Sequence, residues 1–266
     1  MSFQFAAGTF FVFMFALVRA SAWLAFAPPF SSSAIPLPVR TGLGAALAMA
    51  ATAQMTSGHN AALSVYADAV GSLSTAGFIT GLVVQAVVGA LLGFMTYLLF
   101  GVFSAAGSIS DLSSGLSAAQ VFDPISGTAN PITGNTYNLV LTTLLFATGG
   151  DLVVVKGFLT SFRAVGLSAH SVQLVPATLV SELGYFFVAA LEIAAPVLGC
   201  MFLAYVALGL LTRSAPQLNV MSLGFGVNIA LALAVIAVGL PLLPGAVSTL
   251  VYRVVTDGLG ILGVRP

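Results

Sequence analysis

Residues 77–106 read GFITGLVVQAVVGALLGFMTYLLFGVFSAA, thirty apolar-rich residues where a bilayer crossing needs about 20. Glycine returns in this stretch at multiples of four, at Gly77, Gly81, Gly89, Gly93 and Gly101, with Gln85 and Tyr97 in the gaps. Four residues turn a helix about 40° beyond a full turn, so the row winds slowly around it. A row of missing side chains lets a neighbouring backbone come close, which favours small-xxx-small crossings. The plainer reading is that glycine is common in membrane helices and that 28 glycines produce some coincidences.

The remainder of the chain is built alike. Apolar stretches also occupy residues 3–26, 39–55, 137–155, 178–211 and 220–243, each about long enough to span a bilayer. A seventh helix over 246–262 carries Arg253 and Asp257 and is expected to be peripheral. With 59% hydrophobic residues, 5% charged and a mean hydropathy of +1.11, the chain has too little polar surface for a water-soluble globule. The fold expected is all-α, a polytopic membrane protein forming a single domain over 1–266. Its halves are the first helices with a central polar segment (1–134) and the C-terminal helical hairpins (135–266).

Several function classes fall away on composition. Seven basic residues balance seven acidic ones and no basic run interleaves with aromatics, so nucleic acid is not an expected partner. Cys200 is the single cysteine, and His59 and His170 stand far apart, so neither a disulfide nor a metal or cofactor site is expected. The first positive residue, Arg19, already lies inside the opening apolar stretch, so that stretch is expected to be retained as a first helix rather than removed as a signal.

Helix breakers punctuate the connections, in APPFSSSAIPLP, DPISGTANPITG and SAPQLN. As one helix, 178–211 would reach roughly 50 Å, and Pro196 predicts a break within EIAAPVLG. Charges inside apolar segments cost roughly 2.5–3.5 kcal/mol near a helix centre, so Arg19, Glu182 and Glu192 call for buried partners. Glu182 and Glu192 would lie on overlapping faces of an unbroken helix, where either would pair with Arg19 or Arg213. A proton relay is the sharper alternative. Residues 108–133, rich in Ser, Gly, Asp and Pro between membrane-length helices, form either an adaptable pore-facing segment or an ordinary surface loop. In TRSAPQLN, Arg213 complements a helix C-terminus, Pro216 stops the helix and Asn219 caps the next.

Three ordered motifs resemble the FliR family of flagellar export-gate subunits. LVRASAWLAFAPPFSSSAIPLPVRTGLG (17–44) places Arg19, Pro28, Ile35, Pro36 and Arg40 as that family does. GSISDLSSGLSAAQVFDPISGTANP (107–131) carries its Gly-Leu-Ser step and Asp-Pro pair at Gly115, Leu116, Ser117, Asp123 and Pro124. VAALEIAAPV (188–197) and LGLLTRSAPQLNVMSLGF (208–225) supply the last match, with Arg213, Pro216, Gln217 and Asn219 in the signature, which the resemblance makes a candidate subunit contact. Two positions depart from the family. Gln85 stands where an acidic residue is frequent, and the loop aromatics reduce to Phe122, leaving Leu116, Val121 and Phe122 as the bulky residues of the gate.

The resemblance implies kinked helical hairpins packed, partly above the lipid, with FliP and FliQ. FlhB and FlhA would complete the export apparatus in the flagellar basal body of the bacterial inner membrane. The role implied is non-enzymatic: one wall of a channel that passes unfolded flagellar subunits. Gly115, Leu116, Ser117, Val121, Phe122, Asp123 and Pro124 become gate candidates. The alternatives are the homologous subunit of a virulence injectisome, a small-molecule transporter with broken helices at the midplane, and an intramembrane enzyme, which lacks a nucleophile and base at useful spacing.

Overall fold

The computed structural model describes residues 2–56, 75–117, 131–164, 176–215 and 220–262, and those residues contain helices and no strand. The helices are α1 (Ser2–Phe26), α2 (Leu37–Thr56), α3 (Thr75–Ser114), α4 (Ile132–Ala147), α5 (Gly150–Ala164), α6 (Pro176–Ser214), α7 (Val220–Gly239) and α8 (Leu243–Ile261). In a membrane every backbone polar group needs an internal partner, and continuous helices supply one. Among the described residues, four helices are long and apolar enough to cross a membrane. They become five if α4 and α5 are taken as one bent span.

Several expected boundaries shift. The stretch 137–155 is not one helix: α4 ends at Ala147 and α5 begins at Gly150, with Thr148 and Gly149 between them. Gly149 has φ +71°, a left-handed conformation in which a β-carbon would crowd the carbonyl, while Thr148 ends α4 by donating its N–H to Leu144 O (2.8 Å). The break expected at Pro196 does not occur, because α6 continues through it to Ser214. Residues 224–261 form one candidate span rather than a crossing plus a peripheral helix. Pro241 falls in a single 3-10 turn, Leu240–Leu242, and Pro244 in the first turn of α8, where a missing N–H breaks no bond. α2 is not among the candidate spans. Residues 108–114, expected to begin the central loop, are the last two turns of α3.

The chain gathers into two compact units. One comprises Met1–Leu98, Gly149–Glu182 and Leu250–Pro266. In it α1 packs along α2, and Trp23 of α1 stacks on Phe158 of α5 at 4.7 Å between centroids. Three glycines of the row, Gly81, Gly89 and Gly93, form the seam between α1 and α3. A β-carbon at Gly89 would overlap the Arg19 carbonyl, and one at Gly93 would sit 2.7 Å from the Trp23 carbonyl oxygen and 2.9 Å from Phe26 Cβ. At Gly81 the neighbour is the Phe15 ring, 2.9 Å away. Gly77 lies half-buried in the first turn of α3. The C-terminal half of α8 belongs to this core, with Val255 filling the notch at Gly157 and Gly258 facing Leu92 and Met95.

The second unit comprises Leu99–Thr148 and Leu183–Thr249. Val197 and Met201 of α6 bury against Ala232 of α7. Gly101 faces the Phe186 ring, 2.9 Å from where its β-carbon would stand. A β-carbon at Gly107 would overlap the backbone of Gly134 on α4.

A methyl group tests the seam. Gly→Ala within a helix gains about 0.5–1 kcal/mol from propensity, whereas overpacking costs about 1–3 kcal/mol. Gly89→Ala and Gly93→Ala press on backbone and should lose thermal stability in detergent; Gly42→Ala, with nothing within 4 Å, should be neutral or gain. Equal melting temperatures for all three variants would remove the seam from the account.

Candidate functional site

Three polar clusters, the first and third of them buried, stand out from the apolar helices. The first lies on the glycine seam. Arg19, fully buried, donates its Nε–H to Gln85 Oε1 at 2.6 Å and its Nη1–H to Ser161 O and Oγ at 3.1 and 3.3 Å. Its guanidinium lies 4.3 Å from the Phe162 ring centroid, and the Ser161 hydroxyl donates in turn to Phe158 O at 2.6 Å. Gln85, one turn before Gly89, is fully buried too. A planar guanidinium with fixed donors thus ties α1, α3 and α5 together.

The second cluster joins α6 to α8. Arg253 lies 3.2 Å from Glu182 through Nη2 and 3.2 Å from Asp257 through Nε. Glu182 is 7% exposed, and its pairing with Arg253 replaces the expected pairing with Arg19 or Arg213. The expectation for Glu192 is corrected as well, since this residue is exposed. Glu182 belongs to one compact unit and Glu192 to the other, so helical periodicity alone does not give them a common environment.

The third cluster sits at the base of the gate segment. Near the end of α3, Asp111, 2% exposed, accepts the Thr133 N–H at 3.1 and 3.3 Å and also the Thr133 hydroxyl. The first N–H groups of a helix lack partners within it, and the N-cap of α4 is Pro131, which offers no capping side chain. Asp111 therefore caps α4 from another helix, with its negative charge at the positive end of the α4 dipole.

Other contacts reinforce the same base. The Gly107–Gly134 approach brings the two stems together, and the Tyr205 hydroxyl of α6 donates to Ser113 O at 2.7 Å. Gly115, at φ +83°, turns the chain off the end of α3, and the Phe225 ring covers it at 3.4 Å from its β-carbon position. Leu116 is buried and donates its N–H to Ser114 Oγ, while Ser117 is half-buried. Val121, Phe122, Asp123 and Pro124 lie outside the described residues, as do Pro216, Gln217 and Asn219. Arg213 is exposed in the last turn of α6, consistent with a helix-end charge.

Asp111, Thr133, Gly107, Gly134 and Tyr205 are functional positions that are not among the candidates read from the sequence. Asp111 was detectable: it is the one acid in α3, and an acid in so apolar a helix demands a partner. Thr133 and the two glycines carry no such signal, because their roles depend on which helix ends meet.

Residues 10–254 match the family described as "Bacterial export proteins, family 1". The chain belongs to this family, that of FliR. The flagellar biosynthetic protein FliR of Pectobacterium carotovorum subsp. carotovorum is 27% identical over 233 residues, covering 87% of this chain and 85% of that protein. FliR of Bacillus subtilis (strain 168) is 28% identical over 162 residues, 58% of this chain and 61% of that protein. The surface presentation of antigens protein SpaR of Shigella sonnei is 28% identical over 152 residues, 57% of this chain and 59% of that protein. The apolar, all-helical fold thus belongs to a FliR-type membrane protein.

Substitutions separate the polar clusters from the apolar background. Gln85→Leu withdraws an acceptor from a buried guanidinium and should cost about 1–3 kcal/mol, whereas Gln85→Glu keeps the acceptor, adds a countercharge and should be tolerated. Indistinguishable melting of the two variants would contradict this.

At the gate base, Asp111→Ala leaves the Thr133 N–H and hydroxyl buried without that acceptor. A double-mutant cycle with Thr133→Val should give a coupling of about 1 kcal/mol or more in thermal unfolding. Additive losses would show that the two side chains do not act together.

Proposed function

We propose that this chain is a structural, channel-forming subunit of the flagellar type III export gate, non-enzymatic, passing unfolded flagellar subunits across the bacterial inner membrane in the flagellar basal body. Its neighbours in this reading are FliP and FliQ in the gate and FlhB and FlhA in the wider apparatus. The observation that carries it is the family match over residues 10–254. A flagellar rather than an injectisome assignment is favoured because the likeness to a FliR protein extends over 233 residues, against 152 for SpaR.

Gly115, Leu116, Ser117, Val121, Phe122, Asp123 and Pro124 form the yielding part of the gate in this proposal. Its support is the built base: a segment that must move aside for a polypeptide and then return needs fixed ends. Asp111–Thr133, Gly107–Gly134 and Tyr205–Ser113 provide fixed points on the stems. Among the described residues the stems are held by a close backbone approach, the buried Asp111–Thr133 contact and the exposed Tyr205–Ser113 hydrogen bond.

Mild-detergent purification of the full chain from its own membranes, with mass measurement of the intact complex, tests the assignment. A hetero-oligomer containing FliP and FliQ is expected, and a stable functional monomer would overturn it. In the same cells, deletion of residues 115–121 should raise ion leakage across the membrane; unchanged conductance would remove the gate role.

A further inference from the structure

α6 carries an exposed acid inside an apolar span. Along its candidate span, Leu179–Ser214, most residues are exposed or half-buried, whereas α3 buries a larger share of its length. Glu192 lies thirteen residues after Leu179 and twenty-two before Ser214, so at about 1.5 Å per residue it is roughly 20 Å from the nearer end. It is exposed and makes no hydrogen bond or ion pair with the described residues. Around it, at helical spacing, lie Gly184, Val188, Leu191, Ala195 and Gly199, all exposed. A β-carbon at Gly184 or Gly199 would meet nothing within 4 Å.

A second acceptor occupies the same place. Pro196 has no N–H to give the carbonyl four residues earlier, which is that of Glu192. One residue thus presents a carboxylate and a backbone carbonyl deprived of its usual helical donor, both within an apolar span. Hydrocarbon satisfies neither. A helix crossing the notch between Gly184 and Gly199 approaches closely enough to satisfy both.

We infer that this face of α6 docks an apolar helix of a different subunit that carries one lysine or arginine at mid-span, placed against Glu192. Charge complementarity selects the cation. A second copy of this chain fits poorly: among the described residues its exposed cations Lys156, Arg163 and Arg213 sit on α5 and at the end of α6, half-buried Arg40 lies in the first turn of α2 and donates to Ser32 O, and Arg253 is held by Glu182. The inference rests on the chain's working inside a hetero-oligomeric gate and specifies the surface by which it joins.

The test uses the full chain in its own membranes. A photo-crosslinking amino acid at Val188 or Ala195 should trap a non-identical subunit, in a peptide whose apolar span contains a basic residue. Glu192→Lys should lower the yield of that subunit on co-purification about tenfold, Glu192→Gln should lower it less, and Lys→Glu or Arg→Glu at the trapped residue should restore the Glu192→Lys complex. Immunoblotting must show the variants at wild-type level in the membrane. Trapping of lipid alone, trapping of a second copy, or an undiminished Glu192→Lys complex would each overturn the inference. If the wild-type chain itself fails to co-purify with gate subunits, the functional reading fails instead, which separates the two.

Discussion

The contact on which the first compact unit depends is backbone against backbone, where Gly89 and Gly93 of α3 lie on the carbonyls of Arg19 and Trp23 of α1. Apolar side chains gain little from leaving lipid for protein, so dense van der Waals packing must hold membrane helices together. Glycine permits that density. Once α1 and α3 are this close, Gln85, one turn before Gly89, comes within 2.6 Å of the Arg19 side chain. The glycines set the separation and the arginine sets the register: sliding α3 by a residue would carry the Gln85 acceptor away from a buried guanidinium.

The same logic of close approach recurs in the second unit with a different cap on it. Gly107 and Gly134 bring the end of α3 to the start of α4, and Asp111 satisfies the α4 N-terminus that Pro131 leaves uncapped. In each unit a glycine contact is accompanied by one strongly directional polar contact. Apolar packing alone would tolerate slippage. A charged or polar group buried in a medium that offers no substitute partner tolerates very little, so these few side chains specify register far out of proportion to their number.

The sequence shows the parts of this that depend on local period and composition, and hides those that depend on which ends meet. The glycines at 81, 89 and 93, the need of Arg19 for a partner and the apolar helices are legible because spacing and hydropathy are properties of one segment. The helix break at Gly149 was not, since a single glycine among 28 carries no mark of a left-handed backbone. Pro196 misled for a definite reason: proline forfeits one hydrogen bond and crowds one turn, yet a helix continues where its surroundings support both sides. Glu182 and Glu192 misled because periodicity describes a helix in isolation, whereas α6 lends its first residues to one compact unit and the remainder to the other.

That difference between the two acids bears on how apolar surface should be read in this family. Glu182 meets Arg253 within the chain, so its segment is complete on its own. Glu192, with the carbonyl that Pro196 leaves undonated, is an acceptor that the described residues do not complete. An exposed leucine or phenylalanine on α6 or α7 fits lipid and protein equally well and decides nothing. A carboxylate in the same span does decide, because lipid penalises it and a cation-bearing helix rewards it. The polar exceptions therefore show which apolar faces belong to an assembly, and composition, which makes the whole chain look lipid-facing, cannot.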